Sequence, residues 1–187
     1  MAQLSGPGPT GAQGPTTDTW TSAVNKVGTR MRDTSGNEYV FAGPFASAVG
    51  AGGWVVFDGA WGCDRVAATS RGALGTTQTS QAANSYGWVK IYGIEDAAQI
   101  GDSEATSAYG LIAPTGATTE PVMGVTSTML TSLVSGAISN PVFGAWIKAA
   151  ASTGTTGSSS SHSGVTVQVF LNYPYLQGLT ADRQGSS

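Results

Sequence analysis

Charge is scarce in this chain. Asp, Glu, Lys and Arg make up 10% of its 187 residues, against about 25% in an average soluble domain. Eight residues are basic and eleven acidic, for a net charge of −3. No basic cluster exists, so the sequence lacks the electrostatic footprint of a nucleic-acid binder. The acidic excess is too small for a solvating tail. One cysteine, Cys63, rules out an internal disulfide and a thiolate metal cluster. Two residues after Trp61, it reads as a small buried hydrophobe. The one histidine, His162, stands between Ser161 and Ser163 in a stretch of Ser, Thr and Gly. A general base needs a fixed environment that tunes its pKa, and triad members converge from separate elements, not from adjacent positions. The chain is therefore read as a non-enzyme. No Gly-rich loop leads into a Lys-Ser or Lys-Thr pair, and no cofactor or metal is expected. No run approaches 18 apolar residues, so no membrane-spanning helix and no membrane partner are expected. Met1-Ala-Gln-Leu-Ser5 has neither the positive start nor the apolar core of a secretory signal.

In place of charge stand 23 Thr, 21 Ser and 27 Gly, and apolar residues make up 40% of the chain. That is enough apolar material for a core under a surface of hydroxyls and small side chains. Such a surface loses little when another protein covers it, because few charges need desolvating. The composition favours an assembly module.

The segment Tyr86-Gly-Trp-Val-Lys-Ile-Tyr-Gly93 is the most structured stretch. Large side chains alternate between two glycines, which is how a short buried strand reads. Lys90 is the single charge within it. Val165-Thr-Val-Gln-Val-Phe-Leu-Asn-Tyr-Pro174 is a second such stretch. Shorter strands are expected over 37–43, 54–58, 64–68 and 72–77. Asp58-Gly59 supplies a hairpin turn, so Asp58 and Asp64 beside Trp61 are read as turn chemistry around a packed tryptophan, not as a sugar platform. Turns recur every 8 to 15 residues without helical periodicity. The expected fold is all-β: a compact barrel or sandwich of short antiparallel strands with an extended N-terminal arm.

Three parts are expected: an arm over 1–19, a β-rich domain over 20–177 and a flexible tail over 178–187. The arm carries Gly8, Gly11 and Gly14 at every third position, with Pro7, Pro9 and Pro15 beside them. Three triplets are too few for a lone triple helix, so an extended or polyproline-II arm is expected. Residues 36–93 and 111–176 carry a weak internal echo, Gly72–Thr77 answered by Pro121–Thr126. Residues 129–138 read as a short helix or loop, and 152–164 as an exposed Ser/Thr/Gly loop. Glu95, Asp96, Asp102 and Glu104 match no metal-loop spacing, and Ala97-Ala98-Gln99 reads as a solvated linker. Lys26, Arg30 and Arg32 mark a first strand that is either a charge-protected edge or a polar contact.

The segments 72–75 and 86–93, with Val167–Pro174 as a closing strand and Gly36–Val40 as an opening one, resemble small structural proteins of tailed bacteriophages of the capsid decoration, cement or head-fibre type. The resemblance spans roughly residues 30–176. It implies a virion protein made in the host cytoplasm that sits on the outer capsid surface. Its expected partners are the major capsid protein and itself, as a homotrimer, and its expected action is to clamp neighbouring capsid subunits. Pro7, Pro9, Pro15, Trp20, Lys26, Arg30 and Arg32 are the expected partner-binding residues, with Trp20 as anchor. The alternative is a tail- or fibre-associated host-glycan adhesion module. Whatever the role, Trp88 is expected in the core. Trp88→Ala should cost roughly 3–5 kcal/mol in chemical denaturation; a loss below about 1 kcal/mol would place the ring at the surface.

Overall fold

The computed structural model describes residues 17–67, 69–101, 111–114, 123–126, 142–149 and 164–176. They form eleven strands and no helix: β1 (Thr19–Trp20), β2 (Arg30–Arg32), β3 (Glu38–Ala42), β4 (Trp54–Phe57), β5 (Cys63–Arg65), β6 (Gly72–Thr77), β7 (Tyr86–Gly101), β8 (Leu111–Pro114), β9 (Met123–Thr126), β10 (Val142–Ala149) and β11 (Gly164–Leu176). The fold is all-β, as expected. All strand pairs are antiparallel, along the path β2-β3-β7-β6-β11-β10-β8-β9. Among the described residues the path ends at β2 and β9 and does not close into a barrel; the architecture is sandwich-like.

The small strands follow the sequence closely. In β3, Val40 and Ala42 enter one core cluster while Tyr39 and Phe41 enter another, so both faces are covered. That double burial is why the segment is apolar from Tyr39 to Ala42. The β4–β5 hairpin turns at Asp58, whose Oδ1 accepts from the backbone of Ala60 and Gly62, both at 2.8 Å. The strand expected over 64–68 instead starts at Cys63 and ends at Arg65, paired back to Phe57 and Val55.

β7 is much longer than expected, whereas β11 exceeds its expected span of 165–174 by three residues. β7 has 16 residues and β11 has 13. The first half of β7 pairs with β1, β3 and β6; from Tyr92 onward it pairs with β11. The reading of Ala97-Ala98-Gln99 as solvated linker is therefore corrected: these residues are strand, and Ala98 and Ile100 are fully buried. Gly93 hid this by looking like a strand end. It lies at φ 103°, and a side chain there would collide with Asn37 Oδ1, so glycine lets the chain bend and continue.

The bend has a reason in the pairing. β6, β7 and β11 pair with one another, all antiparallel. Three straight strands cannot do this, so the sheet folds over, with left-handed residues at Gly93, Gly144 and Tyr173. Beyond the fold, Val142, Ala145 and Ile147 of β10 and Val167, Val169 and Leu171 of β11 bury with Leu74, Trp54 and Ile100 in the largest core cluster. The internal echo does not extend to pairing: β6 joins β4, β7 and β11, whereas β9 joins β8.

A polar network sits at the fold line. Lys90 Nζ lies 3.2 Å from Glu95 Oε2, with side-chain exposures of 7% and 8%. Lys90 also donates to Ile94 O at 2.7 Å, and Glu95 accepts from Gln78 Nε2 at 2.7 Å and Thr76 Oγ1 at 3.2 Å. Residues five apart on a regular strand face opposite ways. Here Tyr39 pairs with Lys90 while Glu38 pairs with Tyr92, so one extra residue stands between them. That bulge turns Lys90 and Glu95 to the same side. The Lys90 ammonium also lies 5.7 Å from the Tyr39 ring centroid. Lys90→Met should therefore cost about 3–5 kcal/mol, because Glu95 stays buried without its counter-charge. Adding Glu95→Gln should recover part of that loss in urea unfolding; equal losses in single and double variants would show that the charge pairing is irrelevant.

Candidate functional site: an exposed aromatic face

The outer side of β7, β11 and β10 carries the largest exposed apolar side chains of the described residues beside Val24: Phe143 (40% exposed), Trp146 (38%), Tyr173 (44%) and Tyr175 (46%). Their rings form two groups, Phe143 with Tyr175, and Trp146 with Phe170, Tyr92 and Tyr173. Phe143 and Tyr175 are cross-strand partners with centroids 5.3 Å apart and planes at 22°. Trp146 and Phe170 are cross-strand partners 4.7 Å apart at 31°. Phe170 meets Tyr92 edge-on at 5.7 Å, and Tyr92 meets Tyr173 at 5.4 Å.

A bulge builds this face. Phe143 and Trp146 are three apart, an odd spacing that a regular strand would split between two sides. The pairing of β10 with β11 shifts register between Phe143 and Ala145, around Gly144 at φ 76°. Both aromatics therefore point out while Val142, Ala145 and Ile147 point in. A side chain at Gly144 would collide with the backbone of Asn172 in β11, so glycine is required there.

One border of the face is charged. The Arg30 guanidinium lies 5.9 Å from the Tyr173 centroid, a cation–π contact. Tyr173 donates its hydroxyl to Glu38 Oε2 at 2.6 Å, and Arg32 pairs with the other oxygen of Glu38. Partial burial alone would raise the Glu38 carboxyl, but the Tyr173 hydroxyl, Arg32 and the charge of Arg30 together hold it below its ordinary value. The same hydrogen bond raises Tyr173.

Behind the border, Asp33 accepts from the backbone of Ser35 and Asn37, from Asn37 Nδ2 and from the Tyr39 hydroxyl. Burial opposes its charge, yet these bonds outweigh burial and hold it below its usual value. Burial, reinforced by Asp33, pushes the Tyr39 hydroxyl far up. Asn37 Oδ1 accepts from Ile94 N. The rim of the face is thereby tied to the fold line of β7.

The expected binding residues separate. Arg30 and Arg32 border the aromatic face. Lys26 lies in the turn before β2, its carbonyl accepting from Thr29 N. Trp20 is half-buried, its ring 5.5 Å from that of Phe41, and it pairs with Tyr86. The arm boundary moves with it, since Thr19 pairs with Gly87 and donates to Gln81 Oε1. Pro7, Pro9 and Pro15 lie outside the described residues, as do His162 and all but Gly164 of the expected loop over 152–164.

The acidic run also separates. Glu95 is turned into the core, whereas Asp96 is at the surface and accepts from Gln168 Nε2 at 2.6 Å; Asp102 and Glu104 lie outside the described residues. Among the described residues no cluster of three metal-binding side chains forms. An open cleft of about 550 Å³ lies beside the β4–β5 hairpin, lined by Phe45, Phe57, Asp58, Asp64, Arg71 and Asn84. Its carboxylates are engaged locally: Asp58 by its turn and Asp64 Oδ1 by Ser47 Oγ and Arg65 N. Trp61 turns its ring to Phe57 at 5.6 Å. Cys63 is buried, and burial next to Asp58 and Asp64 pushes its thiol far up, which keeps it protonated and unreactive.

No family model, curated protein or solved structure matches this chain. The face itself is the observation that bears on function. It combines Trp, Tyr and Arg, the residues that dominate binding hot spots. Its cross-strand ring pairs turn one face to each other.

The border yields a pH prediction. Glu38 has a depressed folded value, so its stabilisation is present above its unfolded value of about 4.3 and is lost as pH falls through the lower folded value. Tyr173→Phe removes one cause of that depression. Its Glu38 should titrate higher by NMR, and its deficit in stability, under about 1 kcal/mol for so exposed a pair, should shrink below about pH 4. An unmoved Glu38 midpoint would overturn this account of the border.

Proposed function

We propose that the chain is a virion structural protein that binds the outer surface of an icosahedral phage capsid and clamps neighbouring major capsid protein subunits. The aromatic face carries this reading. An apolar patch rimmed by Arg30, Arg32 and Glu38 marks a protein contact, and the charge-poor surface around it is cheap to cover. The resemblance of 72–75, 86–93 and 167–174 to capsid decoration, cement or head-fibre proteins points the same way. A mature head is strained by packaged DNA. A clamp stabilises it to the extent that it binds the expanded lattice better than any other state, and many copies make modest single contacts sufficient. A homotrimer would multiply those contacts, and the arm preceding Thr19 would supply a second contact to an adjoining subunit.

The alternative, a tail- or fibre-associated glycan adhesion module, would use the same rings. It fits less well, because the ring faces are turned to one another.

Co-sedimentation with expanded, undecorated heads tests the proposal, with unexpanded heads as control. Saturable binding to expanded heads alone is expected. Trp146→Ala or Tyr175→Ala should weaken it by at least about 2 kcal/mol, roughly thirtyfold in Kd. Binding to neither form of head would sink the capsid role and make a glycan screen the next experiment.

A further inference from the structure

We propose that the ring group ending at Arg30 takes a segment of a partner protein in which an acidic side chain stands next to apolar ones, the Arg30 guanidinium receiving the carboxylate. The inference rests on the aromatic face being the contact surface, and it adds what the covered surface must present.

The sheet places the charge. Arg32, Glu38, Tyr92 and Asn172 are successive cross-strand partners over β2, β3, β7 and β11. Arg30, two residues before Arg32, points to the same side of β2. Its guanidinium lies 5.9 Å from the Tyr173 centroid. From there the rings run on without a break: Tyr173 to Tyr92 at 5.4 Å, Tyr92 to Phe170 at 5.7 Å and Phe170 to Trp146 at 4.7 Å. An exposed guanidinium thus stands at one end of a continuous aromatic surface.

The charge at that end is not balanced. Both oxygens of Glu38 are in use, one by Arg32 and the other by the Tyr173 hydroxyl. Two arginines face this single carboxylate. No oxygen among the described residues accepts from the Arg30 guanidinium, which is held by the Tyr173 ring. Beyond Phe170 and Trp146 follow the exposed Asp96 and Lys148, one charge of each sign. The face is therefore positive at the Arg30 end only.

The chemistry of that end selects its partner. Stacking on a ring orients a guanidinium without using its N–H donors. The fork then loses little freedom when a carboxylate closes on it with two parallel hydrogen bonds. Covering the rings excludes water and strengthens a charged pair formed at their border. A segment with Asp or Glu beside aliphatic side chains satisfies both needs at once, whereas a wholly apolar segment would cover Arg30 and leave it unpaired. A nucleic-acid strand offers anions and flat bases, but it brings a phosphate with every nucleotide, and one surplus positive charge does not match that series.

The test uses the full chain without heads. NMR titration follows the Arg30 Nε–H and Trp146 Nε1–H signals with the blocked peptide acetyl-Leu-Leu-Glu-amide and its neutral counterpart acetyl-Leu-Leu-Gln-amide. Both signals should shift, and the Glu peptide should bind about fivefold more tightly, the gain of an exposed charged pair. Raising the salt from about 0.05 M to about 0.5 M should remove most of that preference. Arg30→Gln should bind the two peptides alike, while Arg30→Lys should keep part of the preference, since the charge remains without the fork. Both variants change an exposed side chain and should retain the parent far-UV circular dichroism. Equal binding of the two peptides by the parent overturns the proposal. So does no binding of either at about 20 mM, or a preference that survives in Arg30→Gln. Oligothymidylate that moves both signals at lower concentration than the Glu peptide would put a nucleic acid in its place, and signals that move on dilution of the protein alone would put a second copy there; either result overturns it. A lost preference with intact head binding rejects the partner chemistry alone, whereas an intact preference without head binding rejects the capsid role alone.

Discussion

The Lys90–Glu95 pair is the point on which the rest of the structure turns. It stands where β7 leaves β3 and β6 for β11, and each partner also holds a backbone group of the bend: Lys90 the carbonyl of Ile94, and Glu95 the amide of Ala97 at 3.3 Å. A buried pair of this kind adds little net stability over apolar side chains of equal size, since desolvation offsets the attraction. What it adds is selection. Losing the bulge would turn one charge to the opposite face from the other, so the pair disfavours every alignment of β7 except the bulged one. β11 and β10, with the core cluster beneath them, follow from that alignment.

The aromatic face is a downstream consequence. Once β7 bends, β11 lies along its second half with Val167, Val169 and Leu171 inward, and Phe170 and Asn172 are left outward. The bulge at Gly144 then adds Phe143 and Trp146 to the same side. The fold thus uses inserted residues twice, once to unite two charges inside and once to unite two rings outside. Both devices depend on a glycine at positive φ close by, and neither belongs to a simple alternating strand.

That is also why only part of the molecule was legible in its sequence. Trp88, Cys63, β3, β4 and β6 follow ordinary alternation or continuous burial, and their placement could be read directly. The Asp58 turn could be read because its chemistry is local. The second half of β7 could not. Gly93 resembles a strand end, and Glu95-Asp96 resembles solvated linker; only the partner strand, more than 70 residues away, shows that Glu95 faces in and Asp96 out. Trp20 stands beside the arm in the sequence, and its ring neighbour Phe41 comes from a distant segment. The ring ladder escaped notice for the same reason. Phe143 and Trp146 have the wrong spacing for one face until the bulge is known, although the repeated aromatics of Phe170, Tyr173 and Tyr175 were a signal that outward rings were present.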